Sequence, residues 1–221
     1  MLLSLMPLII SLAALAIVLI IIFRPIMKSE EMIDTILNTD LDPPRLIREA
    51  SAAVQKHRRR GVRTAYRVVL ANGYLTNGEY DEAITLLQDE LKNKFLLGHQ
   101  KAVIHLLLGD AYFDKGEFED AEHYFETAKR NWAIKMLGLP ERIDAVLNIH
   151  RGNLPQALEY FSKSMQKKQN DNIHIMFDHY NLAIIYEKMG DTQNHRKHLE
   201  YIAVNGNTLH IARLARKKII F

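Results

Sequence analysis

Leu108-Gly109-Asp110-Ala111-Tyr112-Phe113-Asp114-Lys115-Gly116-Glu117-Phe118-Glu119-Asp120-Ala121-Glu122-His123-Tyr124-Phe125-Glu126-Thr127-Ala128 reads as two helices with a turn between them. Before Gly116, Leu108 and Tyr112 recur at helical spacing; after it, Ala121, Phe125 and Ala128 do the same. A glycine between two such patterns supplies the left-handed residue that ends the first helix. The acidic Glu117 that follows suits the positive end of the second. Gly109 and Ala121 are small where two antiparallel helices must cross closely, and Leu108, Tyr112 and Phe125 are large enough to fill the space around them.

The same turn recurs along the chain, as Asn77-Gly78-Glu79-Tyr80, Arg151-Gly152-Asn153-Leu154 and Met189-Gly190-Asp191-Thr192. The four turn glycines are spaced by 38, 36 and 38 residues. A supersecondary unit at a fixed period cannot bury its apolar face alone, so the units must stack. The first unit keeps Leu70, Ala71, Tyr74, Gly78, Tyr80, Ala83 and Leu87. The third keeps Ala145, Gly152, Ala157 and Phe161, with Asn148 at the large aromatic position. The fourth keeps Leu182, Ala183, Tyr186, Gly190 and Leu199, with His195 in place of the second helix's alanine. No stretch after Arg24 alternates like a strand.

These residues resemble the tetratricopeptide repeat, whose usual length is about 34. The resemblance covers about residues 64–205 and implies an all-α fold, an α-solenoid of about four helix pairs. The extra residues in each unit are expected in longer helices or in loops near Lys94–Gln100 and Leu137–Pro140. Residues 206–221 read as a capping helix with Ile211, Leu214, Ala215 and Ile219 on one face. Residues 24–63 read as a juxtamembrane linker and a leading helix. The leading helix starts at Asp42-Pro43-Pro44 and carries the stripe Leu46, Ile47, Ala50 and Val54. Asn38–Pro44 is the expected linker, and Ser29–Leu37 a short helix at the membrane surface.

Residues 1–23 contain only Ser4, Pro7 and Ser11 outside the apolar set. About 20 such residues span a hydrocarbon core as a helix, so this is the expected transmembrane anchor. No Lys or Arg precedes the run and no small-residue cleavage pattern follows it, which favours a retained anchor over a signal peptide. Arg24 and Lys28 flank its C-terminal end, placing the soluble domain on the cytoplasmic side of the cell membrane in a single-pass topology. The layout looks like that of the lipopolysaccharide assembly protein B family, without its cysteine-ligated metal domain, because the chain has no cysteine. A periplasmic, chaperone-associated anchored repeat protein is the alternative layout, and the charge placement argues against it.

The chain holds no phosphate loop, nucleophile elbow or His-Glu-x-x-His motif, so the reading is a non-enzyme that needs no cofactor and no metal. His195 and His198 are three apart and could share a helix face, without a third ligand nearby. Asp110 and Asp114, one turn apart, form a candidate carboxylate pair weighed against an ordinary polar helix face.

The concave surface of a repeat stack is made by its first helices. Register places Val68, Asn72 and Leu75 there, then Leu106, Asp110, Phe113 and Asp114, then Arg142, Val146, Ile149 and His150, then Phe177, Tyr180, Ile184 and Glu187. This mixed groove suits an amphipathic peptide or helix of a protein partner. Some members of the resembled family clamp a terminal carboxylate with Lys and Asn. Here Asn72 is in place, but Val68 and Leu107 stand where a Lys and an Asn are needed, so chaperone-tail binding is not expected.

Lys56, Arg58, Arg59, Arg60 and Arg63 form the densest charge feature, with Arg213, Arg216, Lys217 and Lys218 a second one. A solvated helix end and a patch drawn to anionic lipid are both open readings. Nucleic-acid binding is disfavoured, because no aromatic residues interleave with the run. The reading is a membrane-anchored adaptor that binds a partner protein in its groove.

Overall fold

The computed structural model describes residues 24–167 and 172–219. The apolar segment 1–23, read above as a membrane span, lies outside the described residues. Among the described residues no helix is long and apolar enough to cross a membrane, and no strand is present.

Helix α1 covers residues 24–39, and its last part, Ile33–Thr39, is π-helical. It is followed by α2 (Pro43–Lys56), α3 (Arg60–Asn77), α4 (Tyr80–Leu91), α5 (Gly98–Lys115) and α6 (Phe118–Lys129). A short α7 (Trp132–Met136) precedes α8 (Leu139–Arg151), α9 (Leu154–Gln166), α10 (Asn172–Met189), α11 (Thr192–Asn205) and α12 (His210–Ile219). The pairs α3/α4, α5/α6, α8/α9 and α10/α11 are the four units of the sequence repeat. The residues beyond the common repeat length went into the loop before Gly98 and into α7.

Each unit turns as the sequence requires. Gly78, Gly116, Gly152 and Gly190 have φ between 75° and 82°, which side chains rarely tolerate. Of the residues that follow, Asp191 caps its helix, accepting from the Asn194 amide at 3.0 Å. Glu79, Glu117 and Asn153 make no side-chain cap, so their contribution is limited to charge and backbone shape. Asp42 caps α2 from Arg45 N at 3.1 Å, as Asp-Pro-Pro predicts.

Core clusters follow the stacking. Ala71, Ala83 and Leu87 of the first unit pack with Ile104 and Leu108 of the second; Ala121 and Phe125 pack with Ile143 and Leu147 of the third; Ala157 and Phe161 pack with Leu182 and Ile185 of the fourth. The largest cluster has a different origin. It joins Leu46 and Ala50 of α2, Tyr66 and Val69 of α3, Leu199 and Ile202 of α11, and Ile211, Ala212 and Ala215 of α12. The two ends of the stack are therefore packed together. Asn207 Nδ2 donates to the Asp40 carbonyl at 2.7 Å, and Arg213 Nη2 to the Asn77 carbonyl at 2.7 Å. The capping helix was expected to shield the last repeat only; it shields the first as well, because Gly78 leaves room for the His210 ring.

The segment expected as a short helix over Ser29–Leu37 is helical, the connection to α2 falls at residues 40–42 within the expected linker, and the helix packs into the body of the fold. Ser29, Met32, Ile36, Leu37 and Leu41 are buried, and α1 packs against α2 and α10. Three of these fall at helical spacing on one face of α1, which drives burial whatever the acids Glu30, Glu31 and Asp34 do on the other.

Gly109 shows how tightly a pair is packed: a Cβ there would lie 2.4 Å from the buried Phe125 ring. Gly109→Ala should therefore cost about 1–3 kcal/mol by overpacking. Gly61→Ala meets nothing within 4 Å and should be neutral or slightly stabilising. Thermal melts by circular dichroism check this, with Gly109→Ala expected to lose about 2–4 °C per kcal/mol.

Candidate functional site

Closure turns the concave face into a chamber. Helices α3, α5, α8 and α10 each present one face to it, and α1 lies along one side, leaving a cavity of about 640 Å³. The first helices contribute Asn72 and Leu75; Leu106, Asp110, Phe113 and Asp114; Arg142, Val146, Ile149 and His150; and Phe177, Tyr180 and Ile184. These are positions singled out by register alone. Val68 and Glu187 do not line it: Val68 packs in the core between the first two units, and Glu187 pairs with Lys218 of α12 at 3.2 Å.

The sequence missed Ile33, Leu37 and Asn38 of α1, which also line the chamber. Their signal was the apolar spacing of α1, a helix that the sequence reading placed at the membrane surface instead of against the repeats. It also missed Asp178. α10 buries residues on every side, His179 and Asn181 among them, and Asp178 is fully buried within it. Arg142 Nη1 reaches Asp178 Oδ1 at 3.1 Å, and Ser164 Oγ donates to Oδ2 at 2.6 Å. Arg142 therefore faces the chamber with its charge committed to a buried carboxylate, and removing it would leave that carboxylate uncompensated. Arg142 thus lines the cavity as its register predicts and also braces α8 against α10.

Asp110 and Asp114 are different. Neither has an ion-pair or hydrogen-bond partner among the described residues, while Phe113, Tyr180 and Val146 line the same chamber. Both side chains are exposed on the open side of the cavity, with protein packed along one flank. Desolvation by that flank raises Asp110 to about 7; Asp114 adds to the rise, and Arg142 offsets part of it. Desolvation also raises Asp114 to about 7. The cavity thus presents two exposed carboxylates without an ion-pair partner among the described residues, beside aromatic and aliphatic side chains, an arrangement that favours a cation with an apolar body. No general acid, base or nucleophile is hydrogen-bonded to the pair among the described residues.

The remaining candidates are satisfied within the fold. Asn72 Nδ2 donates to the Val68 carbonyl of its own helix at 3.3 Å. The His150 ring stacks on Phe118 at 3.7 Å. His195 Nδ1 lies 2.8 Å from the Ala183 carbonyl, and His198 Nδ1 lies 2.8 Å from His179 Nδ1, so the two histidines read as a possible pair have separate partners. Among the described residues no three His, Asp or Glu side chains are grouped to hold a metal ion. Lys56, Arg58, Arg59, Arg60 and Arg63 are exposed at the corner between α2 and α3, outside the chamber.

Residues 68–133 and 106–172 match the family model of the tetratricopeptide repeat. Over this stretch the chain is similar to the tetratricopeptide repeat. No curated protein and no solved structure matches the chain. The tetratricopeptide match ends where α10 begins, and α10/α11 nevertheless stacks as a fourth unit. Its departure from the repeat pattern is His195, which replaces a close alanine contact with a hydrogen bond to α10.

The acid pair makes a pH prediction. A carboxylate whose folded value is raised binds more protons in the folded chain, so it supports the fold at acid pH and costs stability as pH rises from about 4 to 7. Asp110→Asn should remove that cost. The gain should be near zero at pH 4 and reach a few degrees of melting temperature at pH 8, reduced by the water in the chamber. Comparing the variant with the parent at each pH cancels the opposite trend from His179, which burial lowers to about 4. A variant less stable than its parent at pH 8 would show that the carboxylate has a partner.

Proposed function

We propose that the repeat array is a scaffold that takes a short basic and apolar segment of a partner protein into its chamber, while residues 1–23 hold it at the cytoplasmic face of a membrane. Tetratricopeptide repeats support a role in protein–protein interaction. The observation that carries the finer reading is the exposed carboxylate pair Asp110 and Asp114 beside Leu106, Phe113 and Tyr180. The polarity is the reverse of a carboxylate clamp: the chamber offers anions where a clamp offers Lys and Asn.

The volume bears on the occupant. A cavity of about 640 Å³ falls in the range of small-ligand pockets. It accepts a few side chains of a peptide and has no room for a long helix laid along an open groove. The membrane part of the reading rests on the apolar run of residues 1–23 and on Arg24 and Lys28 beyond it.

Panning a random peptide library on the full chain in lipid nanodiscs tests this. Enriched peptides should combine Lys or Arg with aromatic or aliphatic residues. The double variant Asp110→Asn with Asp114→Asn should weaken them by about tenfold or more, the scale of a charge-assisted contact. Enrichment of acidic peptides, or affinity unchanged in the double variant, would remove the chamber from the account.

A further inference from the structure

One edge of the array exposes apolar side chains that neither the core nor the chamber uses. Phe95 and Leu97 precede α5, and Trp132, Met136 and Leu137 lie on and after α7; all five leave between 59% and 78% of their surface exposed. The two segments adjoin, since Asn131 Nδ2 donates to the Gly98 carbonyl at 3.2 Å. The basic corner is continuous with them, because the Arg60 guanidinium sits 5.1 Å from the centre of the Phe95 ring. Apolar groups clustered this openly mark a contact surface rather than scatter.

Cations outnumber anions around them. Arg58, Arg59, Arg60, Lys94, Arg130 and Lys135 are exposed, and none has an ion-pair partner among the described residues. Asp89 beside the loop is already held by Arg67 at 2.6 Å and Lys92 at 3.6 Å. Aromatic and aliphatic tips rimmed by unpaired cations match the interface of an anionic bilayer, where the tips enter the headgroup boundary and the cations meet lipid phosphates. Position along the chain agrees. The apolar residues 1–23 lead directly into α1, which is already buried at Ser29, so about 10 Å of helix separates that run from the folded body. A domain tethered that closely has its surface within reach of lipid.

We propose that this edge is a lipid-docking face, with Trp132, Met136, Leu137, Phe95 and Leu97 entering the interface of an anionic membrane and the corner Arg58–Arg60 holding its headgroups. The face orients the chamber relative to the bilayer. It does not depend on the chamber's ligand, and either reading can fail alone.

Trp132 is the single tryptophan of the chain and therefore reports on the face directly. The full chain is reconstituted into vesicles of phosphatidylcholine alone, or with phosphatidylserine added, and brominated acyl chains serve as quenchers. With anionic lipid, Trp132 emission should shift to the blue and lose about half its intensity to the bromolipid, as for an interfacial side chain. In neutral vesicles it should do neither. Arg58→Glu with Arg59→Glu should return the anionic sample to the neutral spectrum while the chain still floats with the vesicles. Emission unchanged by anionic lipid would overturn the proposal. Shielding in neutral vesicles that grows with protein concentration would assign the face to contact between copies, and overturn it too. Failure to float would concern residues 1–23 and would leave the spectral comparison intact with soluble chain and added vesicles, where the same shift is expected.

Discussion

Arg213 stands where the two ends of the chain meet. From the first turn of α12 its guanidinium donates to both the carbonyl and the side-chain oxygen of Asn77, the last residue of α3, at 2.7 and 3.0 Å. Around it, apolar groups from α1, α2, α3, α11 and α12 form one core. A repeat stack leaves an apolar face open at each end. Here each open end covers the other, with α1 and α12 wedged in the seam. The consequences run inward: the concave side becomes a cavity walled by the first helices and still open to solvent, and α1, drawn into the seam by Met32, Ile36 and Leu37, becomes part of its wall.

The walls of this cavity give Asp110 and Asp114 their character. On an open groove helix, two carboxylates one turn apart would be ordinary solvated groups. With α8 and α10 facing them they are pushed upward, and Arg142, paired with Asp178, offsets only part of the rise at Asp110. The surplus of cations lies elsewhere, on the outer edge beside Trp132 and Phe95. The two charge populations are thus separated by the wall of the array.

Much of this was legible because it is local. Gly-Glu-Tyr and Gly-Glu-Phe turns specify helix ends within a few residues, and a period of 3.6 assigns each side chain a face, so Leu106, Asp110, Phe113, Val146, Phe177 and Ile184 could be placed together from spacing alone. Closure was not legible because it is a contact between residues 136 positions apart, Asn77 and Arg213, and neither carries a local mark of it. For the same reason the pairing of Arg142 was not legible: its partner Asp178 lies 36 residues on, inside another helix. α1 was legible only in part. Its helix was legible over Ser29–Leu37 and was placed at the membrane surface, whereas its apolar stripe packs against α2 and α10.

The central claim is that the stack is closed, and the absence of native cysteine makes it directly measurable. Asp40→Cys with Asn207→Cys places two thiols across the seam, at positions whose backbone and side chain are bonded at 2.7 Å. Under mild oxidation of the full chain, the account predicts rapid, nearly complete formation of an intramolecular disulfide, read as a reducible mobility shift, with a melting temperature no lower than the parent's. A chain that stays reduced, or forms only intermolecular disulfides, would mean the ends lie apart, and the chamber would open into a groove.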